Sequence, residues 1–312
     1  MYYSKMRPMN DTDNTRSDLA PVLVMAYNRP KHLKRLLLSL SSNVESKESK
    51  IFISIDGPKT ERDVSLVNEC RNVAAQDYGF LNTIIWTSEK NRGLANSVIN
   101  SVNKVLKTFN SIVVLEDDLL VSNYFLNYMN AGLNEYAGNS RVAAIHGYQY
   151  PLGYIGTGCV FKRGTDCWGW GTWRNQWETS NFDARYLLNE LQTNRLKKKF
   201  DLGGFTSNFK LLNLQLENKI DSWAIRWHAS MFLQEKFTLY PPESLVLNLG
   251  LDGSGTHEGN NNVFETKLSS NSNWNFPKDI KEDRKFLQRL MLFYLRLKVK
   301  RLLNGFRILK RF

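Results

Sequence analysis

The chain of 312 residues is 42% apolar and 23% charged, a globular composition that excludes wholesale disorder, and at about 150 residues per domain its length allows one large domain or two modest ones. No apolar run approaches the roughly 20 residues that span a bilayer, Met1 to Asp18 lack the apolar stretch of a secretory signal, and Cys70, Cys159 and Cys167 contain no CxxC pair, so a membrane-spanning chain, a disulfide scaffold and a zinc ribbon are all disfavoured and a cytoplasmic location is expected. The net charge of +12 is unevenly placed: residues 281–312 hold eleven basic and two acidic side chains, leaving +3 for the rest.

In chain order, 1–19 reads as a disordered leader. Pro21 to Tyr27 is a short apolar strand, and His32 to Leu40 follows as a helix with Leu33, Leu36, Leu37 and Leu40 on one face. Ile51 to Ile55 is a second strand, closed by the turn Asp56-Gly57-Pro58. A helix over Val64 to Gln76, a strand over Asn82 to Thr87, a helix opened by Gly93, and a strand over Ser111 to Leu115 come next. Tyr124 to Tyr136 reads as a helix and Arg141 to Ile145 as a fifth strand. Apolar strands alternating with amphipathic helices predict a mostly parallel α/β sheet covered on both faces. Ligands in such sheets bind beyond the carboxyl ends of the strands. After residue 150 the chain becomes loop-rich and Trp-rich, with helices over about 183–199 and 205–235 and a short strand pair near Thr238 to Leu249.

Residues 281–312 predict a helix with Leu287, Met291, Leu295, Val299, Leu302, Phe306 and Leu309 in one apolar stripe and Lys285, Arg289, Arg296, Lys300, Arg307 and Arg311 opposite. That pattern suits a helix lying on anionic lipid headgroups; the alternative is a terminal helix packed on the body with its charges solvated. A nucleic-acid partner is not expected, because such a surface spreads its basic and aromatic residues over a folded face.

Glu116-Asp117-Asp118 ends an apolar strand. Three adjacent carboxylates repel one another, and a divalent cation removes that penalty, so Mg²⁺ or Mn²⁺ holding a diphosphate is the favoured reading over a solvated acidic turn. No GxxxxGK[ST] or GxGxxG loop is present, which counts against a kinase, an ATPase or a dehydrogenase. Arg29 and the turn containing Asn91 and Arg92 are candidate phosphate contacts. The segment Cys167-Trp168-Gly169-Trp170-Gly171-Thr172-Trp173, with Trp177, suits either rings on a mobile loop that stack on sugar or a buried aromatic cluster. Asp221 precedes an apolar helix, either as its N-cap or as a general base apart from the metal cluster. His257 lies in the glycine-rich stretch 253–259, either as an ordinary loop residue, the favoured reading from the residues alone, or in a segment able to close over a ligand.

VLVMAYNRP (22–30), ISIDG (53–57), NRGLANSVINSV (91–102), VVLEDDLLVSNYFLNYM (113–129), GWGTWRNQW (169–177), IDSW (220–223) and SGTHEG (254–259) occur in this order. Together they resemble the nucleotide-sugar glycosyltransferases of the GT-A fold. The layout is similar to the N-acetylglucosaminyltransferase I group and to bacterial relatives that build surface polysaccharide. The resemblance implies a GT-A, Rossmann-like sheet with a nucleotide-sugar half over 20–150, an acceptor half over 151–280 and a basic tail over 281–312. It also implies roles. Arg29 and Asp56 would contact the nucleotide, with Asn91 and Arg92 beside them. Asp118 would be the direct Mn²⁺ or Mg²⁺ ligand, with Glu116 and Asp117 near the ribose and donor sugar. Trp168, Trp170 and His257 would face the acceptor, and Asp221 would be the base of an inverting transfer. A second acid is usual where this chain has Ser222. The implied partners are a UDP-sugar and a saccharide acceptor, lipid-linked at the inner face of the cell membrane. Two further readings are a sugar nucleotidyltransferase, which should carry a glycine-rich basic loop at the first strand, and a non-catalytic carbohydrate- or membrane-binding protein.

Overall fold

The computed structural model describes residues 19–153, 156–250 and 262–309, with side chains to Lys300. The leader expectation for Met1 to Asp18 and the loop around His257 lie outside the described residues.

β1 (Val22–Ala26), β2 (Lys50–Ile55), β3 (Asn82–Thr87) and β4 (Ser111–Glu116) pair in parallel in the spatial order β3-β2-β1-β4. α1 (Pro30–Ser41), α2 (Asp63–Ala74) and α3 (Leu94–Leu106) connect them. Pro30 opens α1, where its fixed φ suits the first turn and no amide hydrogen is needed. Alternation along each strand divides the core. Val22, Val24, Ile51, Ile53, Val113 and Leu115 face α1, α2 and α4 (Phe125–Glu135). Leu23, Met25, Phe52, Ile112 and Val114 face α3 and α9 (Trp223–Leu233). All five β1 residues are buried, as expected of a strand covered on both sides.

Beyond Asp118 the chain forms β5 (Leu119–Val121), then α4, β6 (Val142–His146), β7 (Val160–Arg163) and β8 (Trp170–Trp173). The full sheet runs β3-β2-β1-β4-β8-β6-β9-β7, with β9 at Phe237–Tyr240. Four of its seven pairings are parallel. From Trp170 on, the Trp-Gly segment is therefore no mobile loop: β8 is a central strand, antiparallel to both β4 and β6, and only residues 167–169 lie in the loop before it. Gly171 allows this, because a Cβ there would lie 3.1 Å from the Ile112 carbonyl and 3.0 Å from Met129 Cε. The strand pair expected near 238–249 also differs. β9 joins the main sheet, while β10 (Val246–Asn248) pairs antiparallel with β5. Short strands carry too little alternation to reveal their partners.

α5 (Arg174–Glu178), α6 (Ala184–Thr193), α7 (Lys197–Phe200) and α8 (Asn208–Leu216) precede α9, and α6 to α9 enclose a satellite core around Leu187, Leu191, Leu212 and Phe232. α10 (Arg284–Leu309) packs its first turns on the body: Phe286 and Leu290 are buried with Val160 and Tyr240. The seam is centred on Phe286 and Leu290, with Leu287, Phe293 and Tyr294 packed beside them; only Leu287 of the expected stripe takes part there, and Leu295 and Val299 from that stripe are exposed. Among the described residues no helix is long and apolar enough to cross a membrane.

Candidate functional site at the carboxyl edge of the sheet

Glu116 is the last residue of β4 and lies in register with Met25 of β1, so the acidic triplet emerges where β1 also ends. Asp117 is 8% exposed, and one of its oxygens accepts from the Tyr27 amide at 3.3 Å. Asp118 pairs with Arg29, Nη1 to Oδ2 at 3.0 Å. Gly250 closes over it: a Cβ at that position would lie 2.2 Å from Asp118 Oδ2, and the Leu249 amide donates to the Asp118 carbonyl at 2.7 Å. A side chain at 250 would force the Asp118 carboxylate to move.

The acids carry the electrostatic signature of crowding. Burial, then the charges of Asp118 and Asp117, push Glu116 up to about 8. Burial, then Asp118, pushes Asp117 up to about 7 despite Arg29.

A second group sits at the ends of β2 and β3. Asp56 is buried. Its Oδ1 accepts the amides of Gly57 at 2.9 Å and Arg92 at 3.0 Å, and its Oδ2 shares the Arg92 amide at 3.1 Å. Asn91 ties the same turn, donating to the Gly57 carbonyl at 3.0 Å and accepting from the Gly93 amide at 3.2 Å. Both side chains spend their described bonds on shaping the loop, whereas the Arg92 side chain is exposed.

Asp221 joins this turn from the far half of the sequence. Its Oδ2 accepts the Ala95 amide at 3.2 Å, at the N-terminus of α3, and Arg226 lies 3.9 Å from Oδ1. The N-cap of α9 is Ser222, whose Oγ accepts from the Ile225 amide at 3.3 Å. Asp221 therefore does not cap α9; its carboxylate bonds the first turn of α3 instead, and its side chain stays 53% exposed. Ser222, the departure from the resembled pattern, has this local structural job. Gly93 has φ +81°, and a Cβ there would lie 3.0 Å from Asp221 Oδ2.

The tryptophans separate into two kinds. Trp170 is completely buried, with its ring centroid 4.4 Å from Trp227, 5.3 Å from Trp223 and 5.6 Å from Trp177. No face is left for a sugar, which corrects the acceptor-contact expectation: Trp170 is the centre of an aromatic core. Trp168 stays partly exposed in the loop before β8, its ring edge-on to Tyr148 at 4.7 Å.

Sequence reasoning passed over Asp166, in that same loop. One of its oxygens accepts from Tyr150 at 3.0 Å and from Tyr240, and lies 3.4 Å from Lys162 Nζ. Burial alone would raise this carboxyl, but Lys162 and the other donors outweigh it and hold it at about 2. Its partners lie 4 to 74 residues away in sequence, so only the folded sheet reveals the group.

Among the described residues no group of three or more His, Cys, Asp and Glu side chains is arranged to hold a metal ion. The rim still offers hard oxygen donors and an excess of negative charge opposed by one guanidinium. That donor set fits Mg²⁺ or Mn²⁺ held by Asp118 and completed by a diphosphate, not a cage built of protein alone.

No protein-family model matches the chain, and no curated protein matches it. Among solved structures the chain is similar to the mannosyltransferase PcManGT from Pyrobaculum calidifontis in complex with GDP-Man and Mn²⁺. The identity is 14%, the TM-score 0.33, and the match covers 45% of this chain and 39% of that one. A likeness of this size carries no argument about function.

Proposed function

We propose that the chain is a glycosyltransferase that moves a sugar from a nucleotide-sugar to a saccharide acceptor with inversion. The observation that carries this reading is the convergence at one sheet edge of the Glu116-Asp117-Asp118 rim, the Asp56 turn and a solvent-accessible Asp221. A nucleotidyltransferase is less well supported, because the turn from Tyr27 to Pro30 is no glycine-rich phosphate loop.

In this reading Arg29 opposes the charge that builds on the departing diphosphate, and Asp118 holds Arg29 in place until then. A bound divalent ion would supply further charge neutralisation at Asp118. Asp56 fixes the Arg92 amide and so sets the wall against which the nucleotide lies. Glu116 and Asp117 border the ribose and donor sugar. Asp221 accepts the proton of the acceptor hydroxyl, whose oxygen bonds the anomeric carbon as the bond to the diphosphate breaks. The N-terminus of α3 stabilises the Asp221 carboxylate before the transfer. Trp168 belongs to the acceptor side, to which the resemblance also assigns His257, outside the described residues. A UDP-sugar donor, a lipid-linked acceptor and a peripheral place at the inner membrane face complete the proposal, the last through residues 281–312.

The test is a thermal-shift screen of UDP-, GDP-, dTDP- and CMP-sugars with and without Mn²⁺, followed by turnover. Asp118→Ala should abolish the metal-dependent shift. Asp221→Ala should keep that shift and lower turnover by about 10² to 10⁴. Turnover unchanged in Asp221→Ala would refute the assignment of the base, and no stabilisation by any nucleotide-sugar would refute the function.

A further inference from the structure

α10 has a seated side and a bare side. Phe286 and Leu290 are buried, whereas Leu292, Leu295 and Val299 are 52%, 41% and 46% exposed. At 3.6 residues per turn these three lie within about 60° of one another, opposite Leu290. Exposed Lys285 and Arg296 flank the ridge on one side, and exposed Arg284 and Lys298 on the other. Residues 284–300 contain six basic side chains and no acid.

A second cationic segment lies alongside. Lys298 donates to the Gly204 carbonyl, and Leu202 packs against the cluster that holds Phe286 and Leu290. Just before them, Arg195, Lys197, Lys198 and Lys199 are all exposed at and beside α7. Arg195, Lys197 and Lys198 line a groove of about 510 Å³. Its one acid, Asp201, spends a carboxylate oxygen on the Phe209 amide at 2.8 Å.

We infer that α10 and the 195–199 segment form one composite surface for an anionic lipid bilayer. Leu292, Leu295 and Val299 enter the headgroup boundary, and the lysines and arginines on both flanks meet lipid phosphates. The ridge is aliphatic, without the exposed stacking aromatics that single-stranded nucleic acid requires. A second copy of the chain would bring the same charge against it. The inference rests on the membrane reading of the tail and is independent of the transfer chemistry.

The experiment is flotation of the full chain with vesicles of phosphatidylcholine alone or mixed with phosphatidylglycerol. Binding should need phosphatidylglycerol and weaken with salt. Lys197→Glu/Lys198→Glu should weaken binding at least tenfold, as should Leu292→Ser/Leu295→Ser/Val299→Ser. Both variants should stay folded with the wild-type response to nucleotide-sugars, the 197/198 variant losing only the contact of Lys197 with the Phe209 ring. Undiminished binding of the 197/198 variant would overturn the composite surface while sparing the tail. Absence of binding to phosphatidylglycerol vesicles would overturn both, and so would equally tight binding to an RNA hairpin. None of these three results would touch the transferase reading, which is read separately by the nucleotide-sugar shift.

Discussion

Replacing Asp117 by Asn removes a titrating group while keeping an oxygen for the Tyr27 amide. In the native state Asp117 is raised from 3.8 to about 7 by burial and then by Asp118. Between pH 7 and pH 5 the folded chain therefore takes up a proton that the unfolded chain does not, and acidification over this range stabilises the fold by about 2 kcal/mol. Glu116 is raised for the same reasons and adds in the same direction. His146 and His228 oppose this. Burial lowers both from 6.5 to about 4. The unfolded chain protonates them first, so the same acidification removes about 2 kcal/mol per histidine. The terms nearly cancel, and the wild-type stability should be almost flat from pH 7 to pH 5. Asp117→Asn deletes one stabilising term and, by removing a charge that raises Glu116, weakens the other, so relative to wild type it should lose at least about 2 kcal/mol over that range. Urea unfolding at pH 5, 6 and 7 in a chelating buffer measures the difference. An offset between the two proteins that is the same at every pH would refute the reasoning.

Gly93→Ala places a Cβ at φ +81° and 3.0 Å from Asp221 Oδ2; it should cost about 1–3 kcal/mol in urea unfolding and reduce turnover by displacing the carboxylate. Asp166→Asn leaves Lys162 without its carboxylate and should destabilise the chain by about 3 kcal/mol at pH 7. Asp166 is held at about 2, below its ordinary 3.8. Its contribution is full above 3.8 and is lost as the pH falls toward 2, so the gap between variant and wild type in denaturant midpoint should narrow below pH 4.

The parallel half of the sheet was legible because β1, β2 and β4 are apolar runs buried on both faces, because even the edge strand β3, with no buried residue, keeps a strand-like Ile84-Ile85-Trp86 run, and because each helix shows one apolar stripe. Asn82–Thr87 appears as read, and the other early elements differ by a few residues at their ends. The acidic triplet was legible for the same reason: charge has to stop where the apolar strand stops. What sequence could not resolve was the difference between a Trp-Gly strand and a Trp-Gly loop. Glycine in a strand signals close approach of another backbone or side chain, and at Gly171 that neighbour comes from residues 112 and 129, whose proximity exists only after folding. Asp166 escaped notice in the same way. A lone acid between Thr165 and Cys167 looks ordinary until three donors from β7, β9 and the 147–153 loop gather on one of its oxygens. Asp221 shows the converse. Its position before a helix made capping the simpler explanation, and only the Ser222 hydroxyl, seen to occupy the α9 cap, shows that Asp221 turns instead to the Ala95 amide of α3. The residue expected to be acidic by resemblance is thus the one whose hydroxyl leaves its neighbour's carboxylate available. For this reason Asp221 and not Ser222 is the position at which loss of turnover should appear without loss of the fold.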